Sequence, residues 1–540
     1  MFAVFLLLVH IYRFTNTTAR HLTTEERTYS PTVGTTSVGA TGVHYELFVR
    51  AFADSNNDGI GDLNGVTQKL DYLQDLGISA IWLMPVNPSP TYHKYDITDF
   101  YGIDPAYGTL ADFGQLIEEA HKRGIAVLMD LVIHHTSIQH PWFREAAKGP
   151  ENPYRAFYKW LTPTEIERQN LATRDITADS NERSPWHYAP SRTGETDTQN
   201  AATEKYYGMF WSGMPDLNFD HQPLREEIYR IARYWLTEIG VDGFRLDAAR
   251  HLYREAEEPK NHQFWEEFGQ VVQTAKSGAY LVGEVWTRPN KVAPYFRGLQ
   301  ANFNFDLALE LEEIIRQGHD ENDVMAFLHE TQSAYNAVND QFIDALILSN
   351  HDQNRIGSLL KGDVNKLKVA ANLLLTLPGN PYLYYGEEIG MLGLKPDEHL
   401  REPFIWNVGK QDPDRARWLH ARYSTSRTVR PLAQQQNDPD SLFRHYKRLI
   451  AFRNNHPVLN DNRSRLQLSG IRQKRIIAFG RHNEQGSVWV VQNLTNVPIN
   501  VVLSAAEQAV YDVQFHTIPG TYLAHITLTL PAFGLAVLGE

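Results

Sequence analysis

The 540-residue chain predicts an α/β fold: a (β/α)8 TIM barrel with an inserted domain after strand 3 and a C-terminal antiparallel β-sandwich. Three features of the sequence indicate this fold. Apolar runs alternate with amphipathic helical patterns from residue 43 onward, one long segment interrupts the alternation, and half-buried strand patterns replace it near the C-terminus. Alternating strands and helices imply parallel strands joined by right-handed crossovers, and a count of eight favours a closed barrel over an open doubly wound sheet.

Eight apolar runs are the candidate barrel strands, because each is short and is bounded by turn or helix signals. In chain order they are residues 43–49, 78–86, 125–133, 241–247, 280–286, 303–305, 343–348 and 382–385. The run at 303–305 is the weakest of the eight. The helical patterns between the runs place apolar residues on one face, as at Val66, Leu70 and Leu73; at Phe113, Leu116, Ile117 and Ala120; at Leu224, Ile228, Ile231 and Trp235; and at Phe264, Phe268 and Val271.

The interruption and the C-terminal change divide the chain into domains. Residues 137–214 are polar, aromatic and rich in proline, which is typical of a long loop that carries function. We call this segment domain B. The predicted barrel then occupies residues 41–136 and 215–458, and the C-terminal β-sandwich domain occupies residues 459–540, where the segments 487–491 and 522–530 alternate as half-buried strands.

The first forty residues are predicted to be a signal peptide and a linker. Residues 2–9 form an apolar run that is too short to span a bilayer and has the length of a signal-peptide core, although no Lys or Arg precedes it. Thr17, Thr18 and Ala19 offer small residues for cleavage, and residues 20–40 are rich in Thr, Ser and Gly. We therefore expect a secreted or periplasmic protein; the alternative is a frayed start on a cytoplasmic one.

Composition excludes several classes of function. Lys and Arg number 51 against 64 Asp and Glu, and the resulting net charge of −13 disfavours nucleic acid and anionic membranes as partners. The chain has no cysteine, which excludes disulfides, thiolate zinc sites, iron–sulfur clusters and thiol nucleophiles. The oligomeric state cannot be read from these numbers.

Polar side chains gather where the apolar runs end. In a barrel of this kind, chemistry collects at the carboxyl ends of the strands. A single carboxylate there is often only a helix cap, but four runs delivering such groups to one rim indicate a catalytic site. The groups are Asp130, His134 and His135 after the third run; Arg245, Asp247, Arg250 and His251 after the fourth; Glu284 after the fifth; and His351 and Asp352 after the seventh.

These segments resemble the conserved regions of glycoside hydrolase family 13, the α-amylase family. The resemblance runs from about residue 43 to the C-terminus and includes MPDLN at residues 214–218, which is similar to an intermediary group between oligo-1,6-glucosidases and neopullulanases. It implies hydrolysis of α-1,4-glucosidic bonds of starch or maltodextrins, with retention of configuration. A non-catalytic relative, such as a transporter-associated ectodomain, would lose carboxylates that this chain keeps.

The resemblance assigns the catalytic roles. It implies that Asp247 is the nucleophile, Glu284 the general acid/base and Asp352 the third carboxylate. Retention requires the first two carboxyl groups about 5–5.5 Å apart, so that one attacks the anomeric carbon while the other protonates the leaving oxygen. Arg245 lies two residues before Asp247 on the same strand and therefore on the same face. We expect its charge to keep Asp247 ionised, whereas Glu284 must stay protonated.

The same resemblance assigns residues to the sugar. It implies that His135 and His351 hold hydroxyls in the subsite of the reacting glucose, that Tyr95 is the aromatic platform beneath it with His93 beside it, and that Arg250 and His251 face the leaving group.

An aspartate-rich loop predicts calcium. Its oxygen donors alternate along the run DSNNDGIGD, with Gly59 at the sharp turn and Gly65 where a complete EF-hand has Glu. The alternative is a turn that needs no metal. The predicted ligands are the side chains of Asp54, Asn56, Asp58 and Asp62 and the backbone carbonyl of Ile60, and a similar calcium loop is known in family members of the oligo-1,6-glucosidase type.

A second calcium, common between barrel and domain B in α-amylases, uses an Asn immediately before the histidine that corresponds to His135. The residue here is His134, and imidazole is a poor ligand for a cation that prefers oxygen. The sequence therefore argues against that site and favours a hydrogen bond from His134 across the gap.

Chain-end specificity is open at this point. Asp96 follows Tyr95 where many endo-acting relatives have Trp, and in exo-acting α-glucosidases such an Asp pairs with an Arg after strand 8 to clasp the terminal sugar. Arg401 is the candidate partner. The sequence favours an α-amylase, with an exo-acting α-glucosidase, an oligo-1,6-glucosidase or a transglycosylase as the alternative.

Overall fold

The computed structural model describes residues 41–172, 184–190, 204–408, 412–504, 507 and 512–539. The predicted signal peptide and linker lie outside the described residues. Among the helices in this part of the chain, none is both long and apolar enough to cross a membrane.

The strands of the described residues fall into four sheets. In chain order they are β1 (His44–Leu47), β2 (Ala80–Leu83), β3 (Ala126–Leu131), β4 (Trp160–Leu161), β5 (Trp186–Tyr188), β6 (Lys205–Tyr207), β7 (Gly243–Leu246), β8 (Tyr280–Gly283), β9 (Ala301–Phe303), β10 (Ile343–Leu346), β11 (Asn380–Tyr384), β12 (Arg465–Leu468), β13 (Ile476–Asn483), β14 (Gly486–Asn493), β15 (Ile499–Val502), β16 (Asp512–His516), β17 (Tyr522–Ala524), β18 (Thr527–Leu530) and β19 (Leu535–Gly539).

Eight of these strands close into a parallel barrel in the order β1-β2-β3-β7-β8-β9-β10-β11, and β11 pairs with β1 to complete the ring. The predicted barrel is thereby confirmed. All eight predicted runs overlap one of these strands. The weak run is shifted: its strand is β9, and Phe305 begins the following helix because Asn304 caps that helix through its side chain.

Helices surround the barrel and connect its strands. The α-helices are Val49–Phe52, Leu63–Gln68, Leu70–Leu76, Leu110–Lys122, Pro141–Ala146, Pro163–Arg168, Gln222–Arg233, Glu258–Ala275, Pro289–Val292, Phe305–Gln317, Val324–Asn336, Ile356–Leu359, Val364–Thr376, Asp397–Leu400, Leu432–Gln435, Leu442–Asn455 and Pro457–Asn460. A π-helical stretch, Tyr234–Ile239, and the 3-10 turns Arg155–Phe157, Glu255–Glu257, Ala293–Arg297 and Glu387–Ile389 complete them.

Local sequence explains where the longer helices begin and end. Thr109 and Asp112 form a capping box at the start of Leu110–Lys122, each side chain bonding the other's backbone N–H. Gly240 ends the π-helical stretch with a φ of 101°, a left-handed conformation that side chains with a Cβ avoid. The predicted helix through Val66 and Leu73 is in fact two short helices that meet at Lys69.

Aromatic side chains fill the barrel interior. Trp82, Phe303 and Tyr382 pack on one another there, with ring centroids 5.0–6.4 Å apart. The barrel is therefore a filled core and not a pore, which leaves its rim at the carboxyl ends of the strands as the place for a site.

Domain B and the C-terminal region follow the predicted plan. Strands β4, β6 and β5 form a small antiparallel sheet inside the predicted domain B. After the last barrel helix, a five-stranded sheet (β12-β13-β14-β19-β16) and a three-stranded sheet (β15-β18-β17) form the antiparallel C-terminal region. The segment 522–530, predicted as one strand, is two strands paired as a hairpin.

Candidate active site

Arg245 lies at the centre of the predicted catalytic group. Its side chain, on β7, is 1% exposed. One terminal nitrogen, Nη1, donates to Asp247 Oδ1 at 2.6 Å and to Asp130 at 3.0 Å, while Nη2 lies 2.9 Å from Glu284 Oε2. The structure therefore brings Asp247 and Glu284, from two neighbouring strands, to the two ends of one guanidinium. This is the shared rim that the assignment of these two carboxylates requires.

Burial dominates the electrostatics of these carboxyls. It raises the pKa of Glu284, and although Arg245 opposes the rise, the charges of Asp247 and Asp352 add to it. A raised pKa is what a general acid needs. Burial also raises the pKa of Asp247, against the opposing effect of Arg245. Arg245 therefore favours the ionised form of Asp247, in the direction that the sequence predicted, while burial acts against it.

Ala248 has a backbone conformation that joins the two carboxylates. Its φ is 46°, a left-handed conformation that is unusual for a residue with a Cβ. In this conformation its N–H donates to Glu284 Oε2 at 2.9 Å. The strained turn therefore lets two adjacent residues bind different partners: the Asp247 side chain accepts from Arg245, and the Ala248 N–H donates to Glu284.

Asp352, the third carboxylate, is held from two sides. Arg401 Nη2 donates to its Oδ1 at 2.8 Å, and His351 Nε2 lies 3.0 Å from its Oδ2. Despite burial, which raises it, the pKa of Asp352 stays far below its usual range because of His351 and Arg401. Asp352 is therefore ionised at neutral pH, and its side chain is 36% exposed.

The aromatic platform sits against the same group. Tyr95 Oη lies 2.6 Å from His351 Nε2 and donates to Asp130 Oδ2 at 3.2 Å. Beside it, His93 Nδ1 accepts the Tyr95 backbone N–H at 3.1 Å, so His93 carries its proton on Nε2. Burial and Arg401 lower the pKa of His93 to about 3. His93 is thus a neutral donor at the position where the sequence placed a sugar contact.

His135 and His251 lie at the junction with domain B. His135 Nε2 contacts the Tyr95 carbonyl oxygen at 3.1 Å, and the ring of Phe210 lies 5.6 Å from its ring. Phe210 also packs 6.3 Å from the ring of His251. Burial lowers the pKa of both histidines to about 4, so both are neutral above pH 5. Phe210, from the predicted domain B, is therefore a wall shared by the two histidines.

On the predicted leaving-group side, Arg250 is tied to an exposed tryptophan. Arg250 Nη1 donates to the carbonyl oxygen of Trp286 at 3.3 Å. The Trp286 ring is 44% exposed and stacks on the buried ring of Phe305, with centroids 4.6 Å apart and planes 10° apart. Because Trp286 is only two residues beyond Glu284, it offers an apolar face close to the proposed acid.

The predicted pair of Asp96 and Arg401 does not form. Asp96 is 2% exposed, and its Oδ1 accepts hydrogen bonds from the hydroxyls of Ser89 and Thr91. Arg401 binds Asp352, the His351 carbonyl oxygen and Tyr92 Oη instead. The sequence left this pair open as a mark of the exo-acting alternative, and in the structure two hydroxyls of its own loop satisfy Asp96 instead.

Several residues of the site were missed by sequence reasoning. The acidic Glu46 inside the apolar run HYELFV was a visible signal, as was the Trp that follows the acid in GEVW. No sequence signal pointed to the stacked rings of Tyr92 and Trp418, because Trp418 comes from a distant loop. Their centroids lie 5.1 Å apart. Residues in contact with the group but absent from the prediction are Glu46, Tyr92, Phe210, Trp286 and Trp418.

The loop at residues 54–62 is wound around its own carboxylates. Asp54 accepts backbone N–H bonds from Asn57 at 2.7 Å and Gly59 at 2.8 Å, and Asp58 accepts that of Ile60 at 2.7 Å. Asp62 accepts the Ser55 and Gly65 N–H groups, and Asn56 accepts that of Asp58. A search of the described residues finds no group of three or more His, Cys, Asp or Glu side chains placed to hold a metal ion. The loop offers the oxygen donors that calcium prefers. The bound metal stays a prediction.

The donor set at the second calcium position does not fit the ion. His134 Nε2 lies 3.0 Å from the His251 carbonyl oxygen and 3.4 Å from Asp216 Oδ2. Since a carbonyl oxygen only accepts, the ring donates there and crosses the gap as the sequence predicted. Burial lowers the pKa of His134 most, followed by the charges of His135 and His251, and the nearby Lys159 ammonium lowers it further. The same ammonium would also repel a cation.

Known proteins share this fold and these segments. The family "Alpha amylase, catalytic domain" matches residues 46–462. The protein named Alpha-amylase 3 of Dictyoglomus thermophilum is 40% identical over 455 residues, which are 84% of this chain and 85% of that one. A 4-alpha-glucanotransferase of Thermotoga neapolitana is 32% identical over 84% of this chain and 96% of its own. The crystal structure of an alpha-amylase from H. orenii aligns with a TM-score of 0.83 at 40% identity, over 93% of this chain and 100% of that one. The chain therefore belongs to the α-amylase family of glycoside hydrolases, family 13.

Proposed function

We propose that the protein is an endo-acting α-amylase that hydrolyses internal α-1,4-glucosidic bonds of starch and maltodextrins with retention. Asp247 attacks the anomeric carbon, Glu284 protonates the leaving oxygen and later activates water, and Asp352 grips sugar hydroxyls as the ring flattens. The observation that carries the roles is the shared guanidinium of Arg245, which contacts Asp247 and Glu284 at 2.6 and 2.9 Å.

Endo action is supported by the state of Arg401. An arginine that clasps a chain end must have a free carboxylate partner facing the sugar. Here Asp96 is bound by Ser89 and Thr91, and Arg401 is bound to Asp352. Among the described residues, Asp96 and Arg401 therefore do not form the charged clasp that would stop a longer chain from passing.

A substrate blocked at its non-reducing end tests the endo proposal. We expect the enzyme to cleave a blocked maltoheptaoside at a rate close to that of the unblocked sugar. An exo-acting α-glucosidase would leave the blocked substrate intact, and that result would overturn the proposal. Anomeric analysis of the first product by NMR tests retention, because a retaining enzyme releases the α-anomer first.

Glycosyl transfer is the second candidate, and one observation favours it. The exposed face of Trp286, stacked on Phe305 beside the proposed acid, is suited to hold an acceptor sugar in place of water. The ratio of transfer to hydrolysis at high maltotriose concentration measures this activity. If transfer is real, Trp286→Ala should lower that ratio more than it lowers hydrolysis of starch.

Calcium at the loop of residues 54–62 is part of the proposal. The oxygen donors there are those the ion prefers, and Gly59 supplies the left-handed turn, with φ at 96°, that such loops require. Bound calcium would brace a loop near β1 and take no part in the chemistry.

Export from the cytoplasm is proposed on the apolar run at residues 2–9 alone. Expression of the full chain in its host, followed by N-terminal sequencing of the protein from the culture fluid or periplasm, tests it. An uncleaved chain confined to the cytoplasm would contradict it.

A further inference from the structure

Glu46 is a buried carboxylate that the proposed mechanism does not use. It lies on β1, paired in register with Trp82 on one side and Tyr384 on the other, and it is 1% exposed. A carboxylate in such a place is costly unless a positive group pairs with it. Among the described residues, the ion-pair partner of Glu46 is His351.

The contact between Glu46 and His351 is short and specific. Glu46 Oε1 lies 2.5 Å from His351 Nδ1 and 3.3 Å from the His351 backbone nitrogen. Because an ionised carboxylate only accepts, Nδ1 carries a proton. Glu46 therefore fixes both the ring and the backbone of the residue that precedes Asp352.

The second ring nitrogen of His351 also faces acceptors. Nε2 lies 2.6 Å from Tyr95 Oη and 3.0 Å from Asp352 Oδ2. Tyr95 uses its own hydroxyl proton toward Asp130, at 3.2 Å, and so accepts from the histidine. Both ring nitrogens thus need a proton at once, which is the arrangement of an imidazolium.

We infer that Glu46 is a positioning residue that keeps His351 doubly protonated, so that Nε2 can donate to Asp352 and hold this carboxylate toward the sugar. With one proton fewer, the Nε2 lone pair would face Asp352 Oδ2 at 3.0 Å and repel it. Glu46 itself does not touch the substrate and acts only through His351. The inference rests on the proposed role of Asp352.

The charges around the ring support this state. Burial disfavours the cation, but Asp352 and then Glu46 raise the pKa of His351 to about 10. From other elements, Tyr95 after β2 contacts the ring, and the carboxylates Asp130 on β3 and Asp247 after β7 interact with its charge. Arg401 donates to the His351 carbonyl oxygen and not to the ring. The edge of Trp82, 5.6 Å away, completes the surroundings.

The variant Glu46→Gln tests the inference through the pH profile. The amide keeps the shape and can still accept from Nδ1, but it removes the negative charge. A charge-assisted hydrogen bond supports a shift of about one to two pKa units, so the pKa of His351 should fall by that amount. The basic limb of kcat/KM, to which the general acid Glu284 also contributes, should then lie at lower pH in the variant than in the unaltered enzyme. Activity near pH 5.5 should stay close to that of the unaltered enzyme, and activity at pH 9 should fall about two- to tenfold relative to that of the unaltered enzyme.

Two further variants separate this effect from a loss of packing. Glu46→Asp keeps the charge at a slightly greater distance and should restore most of the basic limb. Glu388→Gln is the matched control, because Glu388 is equally buried but contacts the hydroxyls of Tyr45 and Tyr72 and not His351. An unmoved basic limb in Glu46→Gln, or an equal movement in Glu388→Gln, would overturn the inference.

Imidazole 15N chemical shifts give a readout that does not depend on activity. The His351 signals, assigned by their loss in His351→Gln, should report a doubly protonated ring at pH 7.5 in the unaltered protein, and in Glu46→Gln the ring should lose its second proton about one to two pH units lower than in the unaltered protein. A neutral ring in the unaltered protein would overturn the inference while leaving the proposed function untouched. Failure to cleave the blocked maltoheptaoside would overturn the proposed endo action and leave the inference about Glu46 untouched.

Discussion

Arg401 donates a hydrogen bond of 2.8 Å to Asp352, so an arginine from the loop after the last barrel strand holds the third carboxylate of the site. Its remaining donors reach the His351 carbonyl oxygen at 3.1 Å and Tyr92 Oη at 3.3 Å, and the Tyr92 ring stacks on Trp418. The guanidinium is 3% exposed and therefore has little freedom to leave these partners. Arg401 thus holds the third carboxylate of the site in place.

This arrangement predicts that Arg401→Lys damages catalysis and not folding. Lysine keeps the charge, but one ammonium cannot reach acceptors on three sides. Losing a charge-assisted hydrogen bond of about 1.5–3 kcal/mol corresponds to a drop in kcat/KM of about 10- to 100-fold on maltoheptaose. Arg430→Lys, which alters an exposed pair with Asp438, is the control and should change nothing. A normal kcat/KM in Arg401→Lys would contradict the role given to this residue.

Replacing each of the two proposed catalytic carboxyls by its amide should separate their roles. Asp247→Asn and Glu284→Gln should each lower kcat on starch by several orders of magnitude while the melting temperature changes little, since each removes a covalent or proton-transfer step. On a substrate with a good leaving group, such as 4-nitrophenyl α-maltoside, Glu284→Gln should form the glycosyl-enzyme faster than Asp247→Asn does. The exposed Glu238→Gln serves as the control. Equal rates of the two variants on the activated substrate would refute the division of roles.

The sequence predicted the parts of the site that lie next to barrel strands. Asp247 and Glu284 could be found because a strand end fixes where a side chain points, and strand order places neighbours together. The pairing of Asp96 could not be found, because loop side chains choose among nearby donors, and the hydroxyls of Ser89 and Thr91 compete with any distant arginine. The left-handed Ala248 has no sequence signal, since it is forced by the contacts on either side of it.

Removing calcium should lower stability before it changes chemistry. If the ion occupies the loop at residues 54–62, saturating calcium adds about 2.7 kcal/mol when its free concentration is a hundredfold above Kd. Addition of EDTA should therefore lower the melting temperature, with kcat at low temperature nearly unchanged. Asp58→Asn is a sharp test, because the amide can still accept the Ile60 N–H but loses the charge. Its melting temperature should equal that of the chelated protein, and no response to EDTA in the unaltered protein would remove the calcium proposal.

The junction between barrel and domain B should hold without metal. His134 occupies the gap through its contacts to the His251 carbonyl oxygen and Asp216, and its imidazole is a poor ligand for calcium. In the Asp58→Asn background, calcium should therefore leave the melting temperature unchanged, whereas His134→Ala should lower it and raise KM. His187→Ala is the matched control, because this ring contacts the Gly208 carbonyl oxygen inside domain B and should leave KM alone. A calcium response in the Asp58→Asn background would show that a metal does hold the junction.

Asp344 should make the barrel less stable as the pH rises from 4 to 6. This carboxyl is 1% exposed, its Oδ2 accepts from Asn304 and Gln332 at 3.1 Å, and its Oδ1 has no hydrogen-bond partner among the described residues. Burial raises its pKa from 3.8 to about 6. The folded state therefore binds this proton more tightly than the unfolded state, and the stability it contributes is complete below pH 3.8 and is lost as the pH passes 6.

Asp344→Asn should abolish this dependence. The amide oxygen can still accept from Asn304 and Gln332, and no charge is left to desolvate, so the variant should be more stable than the unaltered protein at pH 7 by up to about 3 kcal/mol. Melting temperatures from pH 4 to 7 should show a flatter curve for the variant, with the exposed Asp340→Asn as a control that keeps the original slope. Parallel curves, or a loss of stability at pH 7, would mean that Asp344 is ionised and stabilised by a partner, because only then does removing its charge cost the folded state anything.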